Sequence, residues 1–293
     1  MIIIPTDRTE REGKNIADFR HLKPIHRSRL RVYIGKRYYR LLRYYQWCFS
    51  KQSYAGLKAD KPLDNLSFSH RTPLYRKLRS VDMWLQHNKV QNLKIALNRI
   101  NGLLIRPGET FSYWKTIGKP TRFKGYLKGM NLYYGSFRAE TGGGLCQLSN
   151  LIYWMVLHTP LTVTERHRHS FDVFPDSNRT QPFGSGATCV YNYRDLQIAN
   201  QTNETYQICL RIEAHDLVGE IRTDSTPYLK YRVYEQDHKI THEYWGRYIR
   251  HNLIRRQLFD LDDNLVGDEY VCENHALMMY EPLISGEAAQ ADG

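Results

Sequence analysis

"ETGGGLCQLSNLIYWMVLHTP", residues 140–160, sets three glycines and a cysteine directly ahead of a run of helix-forming apolar residues. Leu148, Leu151, Ile152 and Met155 recur at helical spacing, and residues 151–157 are apolar almost all round. That is the pattern of a buried helix. A segment that must be covered on every side fixes the centre of the fold, and the other elements have to be arranged about it.

Cys146 stands in the first turn of this helix, near Gln147, Ser149 and Asn150. Glycines at 142, 143 and 144 let a backbone approach a ligand without side-chain interference. The first amides of a helix lack internal partners and can face an anion or a developing oxyanion. The helix dipole also favours a thiolate at that end. Gly142, Gly143, Gly144, Cys146 and Gln147 are therefore candidate site residues. The alternative is packing. Three glycines can simply be a tight lead into a buried helix, and a buried free cysteine behaves as a small hydrophobe.

A thiol nucleophile needs a base, and "TVTERHRHSFDV", residues 162–173, supplies His167 and His169. Read as a strand, this stretch puts both imidazoles on one face. Asp172 or Asp195 can orient the base. The His-x-His pair could also be half a metal site, but no third ligand is evident. No metal and no cofactor are expected.

Upstream, Arg20 to Arg43 holds nine basic residues and no acidic one, interleaved with aromatic and aliphatic side chains. Leu30, Ile34, Tyr38, Leu41, Leu42 and Tyr45 fall at helical spacing, which predicts a basic amphipathic helix over 22–50 behind a loose arm at 1–21. Residues 20–47 could lie on an anionic membrane surface. They could instead form a docking helix whose apolar stripe packs on the main domain. Phosphate contacts with nucleic acid are a third use, but no nucleic-acid-binding motif supports it and that partner is not expected. The net charge of +12 is concentrated here, since residues 1–50 hold 12 Lys/Arg against 4 Asp/Glu.

Residues 51–71 read as a loop, Thr72-Pro73 as a helix start, and Lys89–Asn101 as a helix stopped by Gly102. "IRPGETFSYW" reads as strand, Pro-Gly turn, strand. Beyond the glycine-led helix come short turn-bounded segments: "ATCVYNYR", "LQIAN", "YQICLRIEA", "VGEIRTD", "YLKYRVYEQ", "NLVGDEYVCEN" and "ALMMYEP". These predict antiparallel strands. The fold class is α+β, with N-terminal helices followed by a glycine-led buried helix packed on mostly antiparallel β-strands. One domain spans 51–293 and is strand-rich from about 187.

With 293 residues and 41% hydrophobic content the chain can bury a core. Five widely spaced cysteines without a Cys-x-x-Cys argue against a disulfide framework and for a reducing compartment. No secretory signal is read at the start. A cytoplasmic protein, peripheral at the inner membrane face, is expected.

"RPGETFSYWKTIG", "ETGGGLCQLSNLIYWMVL", "TERHRHSFDV" and "GATCVYNYRDLQIAN" together resemble the VanW family. The resemblance runs from about residue 22 to 282 and implies an accessory role in glycopeptide resistance or cell-wall biology, with a cell-wall-related or other envelope ligand. The family pattern carries over onto Gly108, Glu109, Phe111, Ser112, the three glycines, Cys146, Gln147, Arg166, His167, His169, Ser170, Asp195 and Asn200. In "FGSGATC", Ser185 or Gly186 stands where the pattern implies an acidic residue, which moves the orienting carboxylate to Asp195. As an enzyme, the chain would use Cys146 as nucleophile, His169 or His167 as base and Asp195 as orienter in acyl transfer or amide hydrolysis. As a binding module, it would hold an anionic ligand through the glycine loop, Gln147, Arg166, Glu109 and Ser112, with Tyr113, Trp114, Tyr133 and Tyr134 as stacking faces.

Overall fold

The computed structural model describes residues 2–3, 25–75, 82–133, 136–168, 170–173 and 181–280. In chain order the elements begin with β1 (Ile2–Ile3), β2 (Ile25–His26), α1 (Arg29–Phe49), β3 (Ser53–Tyr54), β4 (Asn65–Pro73) and α2 (Met83–Ile100). There follow β5 (Leu103–Ile105), β6 (Glu109–Ser112), the short α3 (Tyr113–Ile117) and the hairpin β7 (Lys128–Tyr133) and β8 (Ser136–Thr141). The glycine-led helix is α4 (Cys146–Val156), followed by β9 (Thr162–Glu165), β10 (Phe171–Asp172) and β11 (Gln197–Ala199). The chain continues through β12 (Tyr206–Glu213), β13 (Asp216–Thr223), β14 (Lys230–Glu243), β15 (Arg247–Phe259) and β16 (Leu265–Met278).

The fold is α+β. Its larger sheets run in the orders β4-β13-β12-β5, β3-β6-β11-β9 and β10-β16-β15-β14. Pairing is antiparallel except for β3 with β6 and β10 with β16. α4 lies in the middle, with Leu148, Leu151, Ile152 and Met155 buried. It packs on β4, β13 and β9. Gly219 of β13 allows the close approach, since a Cβ there would stand 2.7 Å from the Met155 sulfur. α2 covers β12 and β7 with Leu93, Ala96, Leu97 and Ile100, the i, i+3, i+4, i+7 face of an amphipathic helix.

Several local expectations are corrected. Thr72 and Pro73 end β4 rather than starting a helix, and residues 53–54 and 65–71 are strand rather than loop. α2 begins at Met83, six residues before the expected start. "ATCVYNYR" is a turn closed by a bridge between Val190 and Arg194. "NLVGDEYVCEN" and "ALMMYEP" merge into the single long β16, and β15, whose many basic and polar residues hid its strand character, pairs along its length. The two strands flanking Pro107-Gly108 join different sheets, β5 pairing with β12 and β6 with β11.

The N-terminal helix starts at Arg29, with the Ser28 hydroxyl accepting from the Arg31 amide at 3.3 Å. Its apolar stripe does not pack on the domain. Leu30, Ile34, Tyr38, Leu41 and Tyr45 are each more than half exposed, while Arg43 is buried. Of the expected arm, Ile2–Ile3 pairs with Ile25–His26 and residues 4–24 lie outside the described residues.

Candidate functional site

The glycines answer first to packing. A Cβ at Gly143 would lie 2.1 Å from the carbonyl oxygen of Gly129 in β7, and one at Gly144 would meet the Lys89 side chain at 2.1 Å. Gly142 and Gly144 also take positive φ, 79° and 90°, which an L side chain resists. α2 holds the loop in place. Asn92, fully buried, donates to the Gly143 carbonyl at 2.9 Å and the Leu127 carbonyl at 3.1 Å, and accepts from the Leu127 amide at 2.8 Å. The Lys89 ammonium reaches the Leu74 carbonyl.

Cys146 opens α4 and is partly accessible. Burial pushes its thiol pKa up, against the opposing pull of hydrogen bonds from the Cys189 amide and its own amide. The helix-start position therefore does not leave a resting thiolate. The segment carrying that Cys189 amide is fastened on both sides. Ser149 Oγ donates to the Ala187 carbonyl at 2.8 Å, Asn150 Oδ1 accepts from the Ala187 amide at 2.8 Å, and the Thr188 amide donates to the His167 carbonyl at 2.8 Å. The Cys146 thiol and the backbone carbonyl of His167 thus bond the same short segment, 187–189, while the His167 ring turns to Glu165.

β9 ends at Glu165, so His167 follows the strand rather than lying in it. His169 lies outside the described residues. The carboxylate partner of His167 is Glu165, with Oε1 at 3.0 Å from Nε2. The same oxygen accepts from Arg43 of α1 at 2.5 Å and from the Asp195 amide at 3.0 Å. Burial alone would raise the Glu165 pKa, but the His167 hydrogen bond and the Arg43 charge overcome it and hold the group below the ordinary glutamate range. Glu165 was missed in the sequence. Its signal was there, since Glu165 stands two residues before His167 in the expected strand.

Asp195 serves the fold. It accepts from Ser112 Oγ at 2.5 Å, from the Trp114 amide at 2.9 Å and from the Leu196 amide at 3.0 Å, so it holds the start of α3. Ser112 itself caps α3. Glu109 is bound within its own turn by Arg106 at 2.7 Å. Gln147 ties α4 to β4 through Thr72 Oγ1 and the Pro73 carbonyl, both at 3.0 Å. Arg166 donates to the Gly186 carbonyl at 2.9 Å, to the Gly184 carbonyl and to Asn274 Oδ1 at 2.8 Å, and lies over the Tyr153 ring. Tyr113 and Trp114 are buried in the core and offer no stacking face. Tyr134 lies outside the described residues. Among the described residues, no group of three His, Cys, Asp or Glu side chains is placed to hold a metal ion.

The family described as VanW like protein matches residues 88–222, from α2 through β13, which includes the glycine loop, Cys146, His167 and Asp195. The chain is 36% identical over 205 residues to the vancomycin B-type resistance protein VanW of Enterococcus faecalis, covering 70% of this chain and 74% of that protein. It is 28% identical over 117 residues to the uncharacterized protein YoaR of Bacillus subtilis, covering 40% of this chain and 37% of that protein. No solved structure matches it.

Proposed function

This chain belongs to the VanW family, and on that premise we propose that it is an accessory protein of vancomycin resistance. Its thiol centre, Cys146 with His167 and Glu165, acts on an acyl or amide bond of a cell-wall-related ligand. The observation that carries this reading is the 3.0 Å contact of His167 Nε2 with Glu165 Oε1, next to the segment whose amide bonds the Cys146 thiol. An ionised Glu165 accepts a hydrogen bond from Nε2–H and leaves Nδ1 as the basic nitrogen. Glu165, not Asp195, is the orienting carboxylate.

Because burial keeps Cys146 protonated near neutrality, the nucleophile forms during the reaction. The thiol proton passes to Nδ1 as Sγ attacks the carbonyl carbon. The imidazolium then protonates the leaving amine, and water or a second amine takes the acyl group from sulfur. The raised thiol pKa equally suits a second reading, in which the same surface holds an envelope ligand without turnover.

The variant Cys146→Ser separates the two. It keeps size and hydrogen bonding but loses the thiol. Vancomycin susceptibility of cells carrying the variant, read beside the thermal melt of the purified protein, is the measurement. Loss of the resistance contribution with an unchanged melt supports the thiol centre. Full resistance from a stably folded variant removes it and leaves the binding reading.

A further inference from the structure

Among the described residues, α1 is attached to the domain by one face. Arg43 is buried against Glu165, the Trp47 carbonyl accepts from Lys115 at 3.1 Å, and the Arg40 carbonyl accepts from Asn192 at 3.3 Å. At about 3.6 residues per turn, the direction opposite Arg43 is occupied by Leu30, Ile34, Tyr38, Leu41, Tyr45 and Phe49. Their exposures are 68%, 56%, 60%, 69%, 62% and 73%. The apolar stripe therefore runs the whole length of a 21-residue helix, roughly 30 Å, and faces away from the described part of the domain.

The charge on the helix identifies what covers this stripe. α1 carries Arg29, Arg31, Lys36, Arg37, Arg40 and Arg43 and no acidic residue. Arg31 and Arg37 flank the apolar stripe on its two sides. A second copy of the chain laid along this face would oppose one cationic helix with another, which costs rather than stabilises. An anionic lipid surface satisfies both features. Leucine, isoleucine and phenylalanine enter the acyl boundary, the tyrosines sit at headgroup level, and the Arg31 and Arg37 guanidinium groups meet the phosphates. No helix among the described residues is long and apolar enough to cross a membrane, so α1 would lie along the surface rather than span it.

We propose that the outward face of α1 docks this protein onto an anionic membrane surface. The proposal does not rest on the thiol centre, although the Arg43–Glu165 contact ties the inward face of α1 to it.

Co-sedimentation of the full chain with vesicles tests it. One set is phosphatidylcholine alone and the other contains about one third phosphatidylglycerol. Binding is expected to the anionic set, weakening as salt rises. The double variant Ile34→Glu/Leu41→Glu alters only exposed positions and should keep the wild-type melt while losing about tenfold or more in vesicle affinity. Equal binding to both sets, or a double variant that binds as wild type, overturns the proposal. A lipid-free dimer that the same substitutions dissolve also overturns it and assigns the face to a second copy. So does an acidic protein partner that binds α1 in place of the vesicles.

Discussion

Arg43 and Glu165 are 122 positions apart and meet at 2.5 Å, both side chains largely buried. The contact joins the N-terminal helix to the strand that carries the His167 partner. A buried ion pair is weak evidence for net stability, but breaking one half of it leaves a charge without compensation. Arg43→Met keeps the apolar stem and removes the guanidinium. It should cost about 3 kcal/mol and loosen α1, seen as a lower melting temperature and faster proteolysis around residues 50–52. Arg37→Met, at an exposed position, serves as the control and should melt as wild type. Identical melts for both variants would mean that Arg43 does not anchor the helix.

The glycines separate two physical demands. Gly143 is fixed by space, because any Cβ would overlap the Gly129 backbone. Gly108 takes φ +78° with nothing within 4 Å, so it is fixed by conformation alone. Gly108→Ala should cost about 1 kcal/mol. Gly143→Ala has to displace β7 from the loop and should cost several times more, with failure to fold at the extreme. Denaturant unfolding measures both, and equal losses would contradict the steric account.

This contrast also marks how far the chain could be read in advance. The buried α4, the Pro-Gly turn and most of the C-terminal strands follow from local periodicity and turn chemistry, which are written in neighbouring residues. The partner of the glycine loop is not, because Gly129, Lys89 and Asn92 reach it from other elements. For α1 the periodicity was legible but left two uses of its apolar stripe open. The stripe is exposed, and the docked face is fixed by an ion pair whose second member lies in β9. Asp195 was legible as a carboxylate that could orient a base, but its partners, Ser112 and the Trp114 amide, come from β6 and α3 and hold the start of α3. Glu165 was overlooked beside the two histidines.

Asp195 supplies a pH-dependent test. Burial raises its pKa to about 6, despite the hydrogen bonds from Ser112 and the Trp114 amide that oppose the shift. Unfolded, an aspartate titrates near 4 (about 3.9). The folded state therefore holds this proton more tightly. Its contribution is fully present below about pH 4 and is lost as pH rises to about 6, a swing on the order of 3 kcal/mol. Asp195→Asn removes the titration while keeping the shape, and the Ser112 hydroxyl can turn to accept from the new amide. The stability of wild type minus that of Asp195→Asn should fall between pH 4 and 6 and level off above, as read from melts of the two proteins side by side. The difference isolates Asp195 from carboxylates such as Glu165, whose lowered pKa works in the opposite sense. Asp195→Ala, which leaves the Ser112 hydroxyl and the Trp114 and Leu196 amides without their acceptor, should be destabilised at every pH by about 3 kcal/mol or more. A flat wild-type-minus-Asn difference across the window would mean that Asp195 stays ionised in the folded protein, held by its donors against the cost of burial.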